Sequence, residues 1–323
     1  MTMQPNAAKR QIVGQRIVVK IGSALLTANG RGLDQVAMAG WAAQLAKLQA
    51  DGYQLILVSS GAVAEGMCRM NLPARPTTLP EIQACAAIGQ MGLVELWSKA
   101  LLAHNIQTAQ VLLTHDDLSD RQRYLNAGDT LCTLIDWNII PVINENDTVA
   151  VDEIRVGDND TLASEVAHLA DADLLVILSD VDGLYTEDPR KSPTAILVPL
   201  VSDITPDIER LAGVSSTFEG TGGMATKLRA AKKVAEYGIP TLIINGERAG
   251  LLPSVLAGEP GGSLFLPKAR RLNSRKHWIA FTLRPRGQVH LDEGAVDALR
   301  TRGKSLLASG ILQVTGQFEA GDP

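Results

Sequence analysis

Short runs of consecutive apolar residues alternate along the chain with longer segments whose apolar positions recur every three or four residues. The runs are Arg16 to Ile21 (RIVVKI), Gln54 to Ser59 (QLILVS), Thr108 to Leu113, Ile139 to Ile143, Leu174 to Leu178 and Thr241 to Ile244. Between the first two, Val36, Ala39, Ala43, Ala46 and Leu48 keep helical spacing, and the pattern ends near Gly52. Ile82 to Ala103 and Arg121 to Trp137 read as further helices, the second entered through Ser119-Asp120-Arg121-Gln122, a capping-box pattern. Strands that are apolar throughout and separated by helices predict a three-layer α/β/α sandwich around a mainly parallel sheet. Ligands of such sheets bind beyond the carboxyl ends of the strands.

The pattern thins after Asn245. Gly246 to Ser263 is rich in Gly, Pro and Ala, and Lys268 to Lys276 (KARRLNSRK) is a basic cluster. The expected organisation is therefore a main domain over 1–262, a linker over 263–276 and a small β-rich segment over 277–323. In that segment Trp278 to Phe281, Val289 to Asp292 and Ile311 to Thr315 are expected as strands around a helix at Ala295 to Arg302. It falls below the roughly 70 residues at which a lone core becomes secure, so an incomplete domain is expected.

Composition narrows the class. With 323 residues and 46% hydrophobic content the chain can bury a full core, and a net charge of −5 gives no global argument for nucleic acid or membrane. Cys68, Cys85 and Cys132 form no C-x-x-C pair, which argues against a disulfide framework and a zinc site. The first fifteen residues are polar and no apolar run reaches the length of a membrane span, so a cytoplasmic protein is expected.

Candidate chemistry concentrates in Pro141 to Asp160 (PVINENDTVAVDEIRVGDND), where Asn144, Asn146, Asp147, Asp152, Glu153, Asp158, Asn159 and Asp160 follow an apolar strand. A solvated turn is one reading and a binding loop the other. Three glycine turns favour the second. Gly22-Ser23 and Ser60-Gly61-Ala62 each end a strand, and Gly220 to Lys227 (GTGGMATK) runs into a helix expected over Leu228 to Gly238. Glycine admits close approach of an anion, and free N–H groups at a helix start attract it. Lys20 at a strand end and Lys227 at a helix start stand where phosphoryl oxygens would be met, although a strand-end lysine is also a common surface residue. No G-x-G-x-x-G follows the first strand, and Gly303 to Ser305 lacks the first P-loop glycine because Ala298 stands there. There is no H-R-D loop of a protein kinase, and Ala163 stands where a calcium loop needs glycine.

Together VVKIGSALLT (18–27), VSSGAVAEG (58–66), PVINEND (141–147), VGDNDTLA (156–163), LSDVDGLYTEDP (178–189) and GTGGMATK (220–227) closely resemble the glutamate-phosphorylating members of the amino acid kinase family, in order. The tail from His277 is similar to the first half of a PUA domain. The resemblance implies ATP-dependent phosphorylation of the γ-carboxylate of L-glutamate, with Mg²⁺ carried on the nucleotide phosphates and no metal site of the protein's own. It implies that Lys20 and Lys227 contact the ATP phosphates while Asp160 holds both lysines. It assigns Ser60, Asp147 and Asn159 to glutamate, with Asn144, Asp158, Gly61 and Ala62 as further contacts. The nucleotide would rest on Lys20, Gly22, Ser179, Asp180 and Thr221, Gly222, Gly223, Met224, Ala225, Thr226 and Lys227. Inhibition by proline and a homo-oligomer are likewise implied, with a glutamate lobe over about 10–170 and an ATP lobe over about 171–262. Thr148 to Arg155 is expected as a mobile flap.

Charge chemistry agrees with that implication. A side-chain carboxylate with a solution pKa of about 4.3 is already ionised at neutral pH, so the acceptor needs no general base. The task is to bring an anion to a polyanion, which calls for lysines and N–H groups. The five histidines lie outside every motif. Two alternatives remain: another kinase of the same fold, and a regulatory or RNA-binding protein that uses Lys268 to Lys276 as a basic patch. The acidic loop disfavours acceptors without an ammonium group, and Lys20, Asp160 and Lys227 disfavour a protein without catalysis.

Overall fold

The computed structural model describes residues 14–27, 32–150, 159–212, 223–268, 287–301 and 303–316. The chain divides into two compact units, Met1–Arg271 and Leu272–Pro323. In the first, the order is β1 (Arg16–Ile21), α1 (Ser23–Leu26), α2 (Gln35–Ala50), β2 (Gln54–Ser59), α3 (Ala62–Arg69), α4 (Leu79–Leu102), β3 (Thr108–Leu113), α5 (His115–Ser119) and α6 (Arg121–Asp136). There follow β4 (Ile140–Glu145), α7 (Asn159–Leu169), β5 (Leu174–Ser179), β6 (Leu200–Val201), α8 (Pro206–Leu211), α9 (Met224–Glu236), β7 (Thr241–Asn245), α10 (Leu251–Leu256) and β8 (Ser263–Phe265).

Eight described strands form one sheet in the order β3-β4-β2-β1-β5-β7-β8-β6. Neighbours from β3 to β7 are parallel, and β8 runs antiparallel to β7. Alternation along β1 divides the core. Ile17, Val19 and Ile21 face α2, α4 and α10, while Val18 packs with Ile56, Ile177 and the apolar sides of α6, α7 and α9. A sheet covered on both faces explains why its central strands are apolar at nearly every position.

Two close approaches fix the first layer. A Cβ at Gly66 would overlap the Cys85 carbonyl, and one at Gly89 would overlap the Ala62 carbonyl, so α3 and α4 touch backbone to backbone. Helix α2 is capped by Asp34, whose carboxylate accepts from the Val36 and Ala37 amides at 3.0 Å. Trp41 on α2 donates through Nε1 to the Gly246 carbonyl at 2.9 Å, tying that layer to the end of β7.

Several boundaries differ from the sequence reading. Strand β4 continues through Asn144 and Glu145, which places Asn144 within the sheet rather than in a loop. Ser263–Phe265 is sheet and not linker, so the main unit extends past 262. Helix α9 starts at Met224, one turn before the expected Leu228. Asp120 caps α6 through the Arg123 amide, whereas the reciprocal box lies one helix earlier, between Thr114 and Asp117. Trp278 to Phe281 and Arg270 to Lys276 lie outside the described residues, as does most of the expected flap.

In the second unit β9 (Gly287–Leu291) and β10 (Ile311–Gly316) pair antiparallel around α11 (Glu293–Arg300), which Asp292 caps by accepting from the Ala295 amide at 2.6 Å. Gly303 adopts φ +59, which accounts for glycine in that Gly-Lys-Ser as a turn. No described helix is long and apolar enough to cross a membrane.

Candidate active site

Sheet register gathers the site. Lys20 pairs with Val58 and Ile177, Ile21 with Ser59, and Val58 with Ile143, so Lys20, Ser59, Asn144 and Ser179 all stand near the carboxyl ends of adjacent parallel strands. Alternation then sorts their side chains. Lys20 shares the face of Val18, toward α7 and α9, while Asn144 shares the face of Ile140 and Val142, toward α4.

On the α7 and α9 side the arrangement is ionic. The Lys20 ammonium contacts Asp160 Oδ1 directly, and Lys227 Nζ lies 3.5 Å from Asp160 Oδ2. Thr226 adds a hydroxyl donor to the same Oδ2 at 2.9 Å. All three charged groups are buried, Asp160 completely, and Lys20 and Lys227 to within 4% and 5% of full cover. Burial pushes the Asp160 carboxyl up, but the two ammonium charges and the bonds from Lys20 and Thr226 outweigh it and hold the group below the ordinary carboxylate range. Two ammonium groups against one carboxylate leave a net positive charge at the start of α7 and α9. Gly223 precedes α9 with an extended backbone and offers no side-chain cap, so among the described residues the Met224 and Ala225 amides remain available to an anion, while Thr226 donates to the Gly223 carbonyl at 3.2 Å.

On the α4 side the arrangement is neutral. Asn159 donates from Nδ2 to the Ser59 carbonyl at 3.1 Å, to Ser60 Oγ at 2.9 Å and to Asn144 Oδ1 at 2.9 Å. Asn144 in turn donates from Nδ2 to Gln90 Oε1 on α4 at 2.8 Å. Trp97, two turns further along α4, donates from Nε1 to Ser59 Oγ at 2.8 Å. Gly61, with φ +106, turns the chain from β2 into α3 directly after Ser60, and its left-handed backbone is the reason for glycine there. A cleft of about 200 Å³ opens beside this chain, bounded by Gln90 and Met91 of α4, Gln110 and Leu112 of β3, and Glu145 and Asp147. Burial raises the Asp147 carboxyl to about 6, a little less than it would without its own backbone amide.

The structure thus joins Lys20, Asp160 and Lys227 with Thr226 in one cluster, and Ser60, Asn144 and Asn159 in another. Asp147 lines the cleft, while Gly61 forms the β2–α3 turn and Ala62 opens α3. Gly22 precedes α1; Ser179 ends β5 with its hydroxyl 3.1 Å from the Asp180 carboxylate; and Gly223, Met224 and Ala225 open α9. Asp158, Thr221 and Gly222 lie outside the described residues. Gln90 and Trp97 were not singled out from the sequence, where they read only as members of an apolar helix. Among the described residues no group of three or more His, Cys, Asp and Glu is placed to hold a metal ion.

Fold and site together define a class, that of kinases built on an α/β/α sandwich. The chain belongs to the amino acid kinase family, whose pattern matches residues 15–245, and residues 287–323 match the PUA domain. The glutamate 5-kinase of Acinetobacter baumannii is 54% identical over 308 residues, which cover 95% of this chain and 81% of that protein. The glutamate 5-kinase of Geobacter sulfurreducens is 52% identical over 307 residues, covering 95% of this chain and 82% of the other. Among solved structures, the product complex of the T. acidophilum isopentenyl phosphate kinase superposes with a TM-score of 0.55 at 18% identity, over 78% of this chain and 100% of that one. UMP kinase from Bacillus anthracis gives 0.53 at 16% identity, over 79% and 97%. At such identities the structural likeness speaks for the fold alone.

Proposed function

We propose that the protein transfers the γ-phosphoryl group of ATP to the γ-carboxylate of L-glutamate, forming γ-glutamyl phosphate, and that proline inhibits it from the glutamate site. The observation that carries this reading is the pair of buried lysines held on one buried aspartate at the strand ends. One carboxylate oxygen of glutamate forms the new bond to phosphorus as the bond to the β,γ-bridging oxygen breaks, and ADP leaves. No proton moves, because the acceptor is already ionised at neutral pH.

The protein's work is then alignment and charge stabilisation. Lys20 and Lys227 meet the phosphoryl oxygens from two sides, and Asp160 fixes their spacing. The free amides at the start of α9 take further phosphate oxygens, with Gly22, Ser179, Asp180 and the stretch 221–227 around the nucleotide. Magnesium, when bound on the phosphates, supplies further charge neutralisation there. Ser60 and Asn159 face the reacting carboxylate, while Asp147 takes the α-ammonium group. Residues up to about 170 form the glutamate lobe and those beyond it most of the nucleotide lobe.

Hydroxylamine traps acyl phosphates, so glutamate, ATP and Mg²⁺ should give γ-glutamyl hydroxamate. Product from aspartate or N-acetylglutamate in place of glutamate overturns the assignment.

A further inference from the structure

The amide chain has a polarity that one atom dictates. The Ser59 carbonyl can only accept, so Asn159 must turn its Nδ2 toward it. That amide nitrogen also reaches Asn144, which must present Oδ1 and is left with Nδ2 as a donor. Gln90 must therefore offer Oε1 to Asn144, and its own Nε2 stands at the far end of the chain as a donor. Among the described residues this buried Nε2 has no hydrogen-bond partner. Gln90 is only 8% exposed and lines the same cleft as Asp147. A buried donor without an acceptor costs about 1–3 kcal/mol, so its retention in a site wall calls for an acceptor that arrives with a ligand.

The position is built rather than incidental. Gly89, immediately before Gln90, lets α4 press on the Ala62 carbonyl at the start of α3, which brings residue 90 up to the end of β4. A larger residue at 89 would lift α4 away.

Resting on the functional reading above, we propose that Gln90 is a specificity-determining residue that donates from Nε2 to the α-carboxylate of the amino-acid substrate. Asp147 accepts from the α-ammonium group in the same cleft. One acceptor and one donor, held on β4's end and on α4, then match the two charges of an amino-acid head group. The polarity relay through Asn144 keeps Nε2 from being replaced by an oxygen at that place, which would repel the carboxylate.

Two variants test this. Gln90→Met keeps the length and removes both polar atoms; Gln90→Glu keeps an oxygen to accept from Asn144 and exchanges the donor for a carboxylate oxygen. Each is assayed with glutamate and with glutamate α-amide, whose γ-carboxylate is intact and whose α-carboxylate is neutralised. The expected result is a KM for glutamate raised about 10- to 100-fold with kcat nearly unchanged, and a clearly smaller rise for the α-amide, whose neutral carbonyl oxygen accepts a weaker bond than a carboxylate oxygen. In wild-type protein the Gln90 side-chain amide resonances should shift on adding glutamate, and less on adding the α-amide, which needs no variant to fold. Equal KM increases for both substrates, a glutamate KM within twofold of wild type, or resonances that ignore glutamate overturn the proposal. If the wild-type chain makes no γ-glutamyl phosphate, the functional reading falls and takes this inference with it; if it does and the variants match it, only the inference falls.

Discussion

Asn159 and Asp160 are neighbours at the start of α7, yet they anchor opposite kinds of network. Asp160 is buried among charges, with Lys20 from β1 and Lys227 from α9 on its two oxygens. Asn159 joins a chain of neutral amides that runs through Asn144 to Gln90 on α4. Buried ions give strong, long-ranged attraction but little directional choice, and they are expensive to leave without partners. Amides give modest energy and a fixed sense of donor and acceptor. The proposed function, which must overcome anion repulsion at one end and recognise a head group at the other, calls for both, and the break between them falls between two consecutive residues.

Breaking the ionic side should have the largest effect. Asp160→Asn leaves two buried ammonium groups facing an amide, and a loss of about 3–5 kcal/mol in chemical-denaturation stability is expected, together with turnover. A variant as stable as wild type would show that the lysines do not depend on this carboxylate. On the proposed mechanism, in which its charge acts on the transferring group, Lys227→Ala should lower kcat by about 10²–10³-fold with little change in KM for glutamate. Unchanged kcat would remove Lys227 from the mechanism.

On the proposed reading, the head-group side should respond through KM. Asp147 titrates near 6, so it is charged above that pH and becomes neutral as pH falls through it. The ligand's ammonium group stays protonated across this range. Steady-state assays from pH 8 to 5 should therefore show a glutamate KM that is flat above about 7 and rises toward tenfold per unit below about 6. Asp147→Asn should give a raised KM without that bend, and persistence of the bend would assign it to another group. The smallest effect is expected for Thr226→Val, which deletes one hydroxyl bond to Asp160 and should cost about 1 kcal/mol of stability, read by thermal or urea unfolding.

Much of this is legible in the sequence, and each exception has its own physical cause. The parallel strands showed as apolar runs because both faces are covered, and Lys20 and Lys227 stood out because charges at those positions serve no packing. Helix α3 was hidden by Gly61 and Gly66, which look like turn residues; Gly61 is one, but Gly66 is there because Cys85 leaves no room for a side chain. Strand β8 is three residues of the four between a glycine pair and a proline, too short to register as periodic. The start of α9 is masked in the sequence because Met224 to Lys227 follows three glycines in four residues. Gln90 left no local mark at all. Its neighbours Ala86, Gly89 and Leu93 read as an ordinary helix face, and its partner Asn144 is 54 residues away.

The direct contact of α3 with α4 has a consequence for how such a protein diversifies. Because α4 lies on one face of the sheet and the lysine cluster faces the other, changes along α4 reach the cleft without passing through Asp160. If the proposed roles hold, acceptor preference can drift under selection while the lysine cluster that would handle phosphate stays fixed. The sheet acts as a partition between what a descendant may alter and what it must keep.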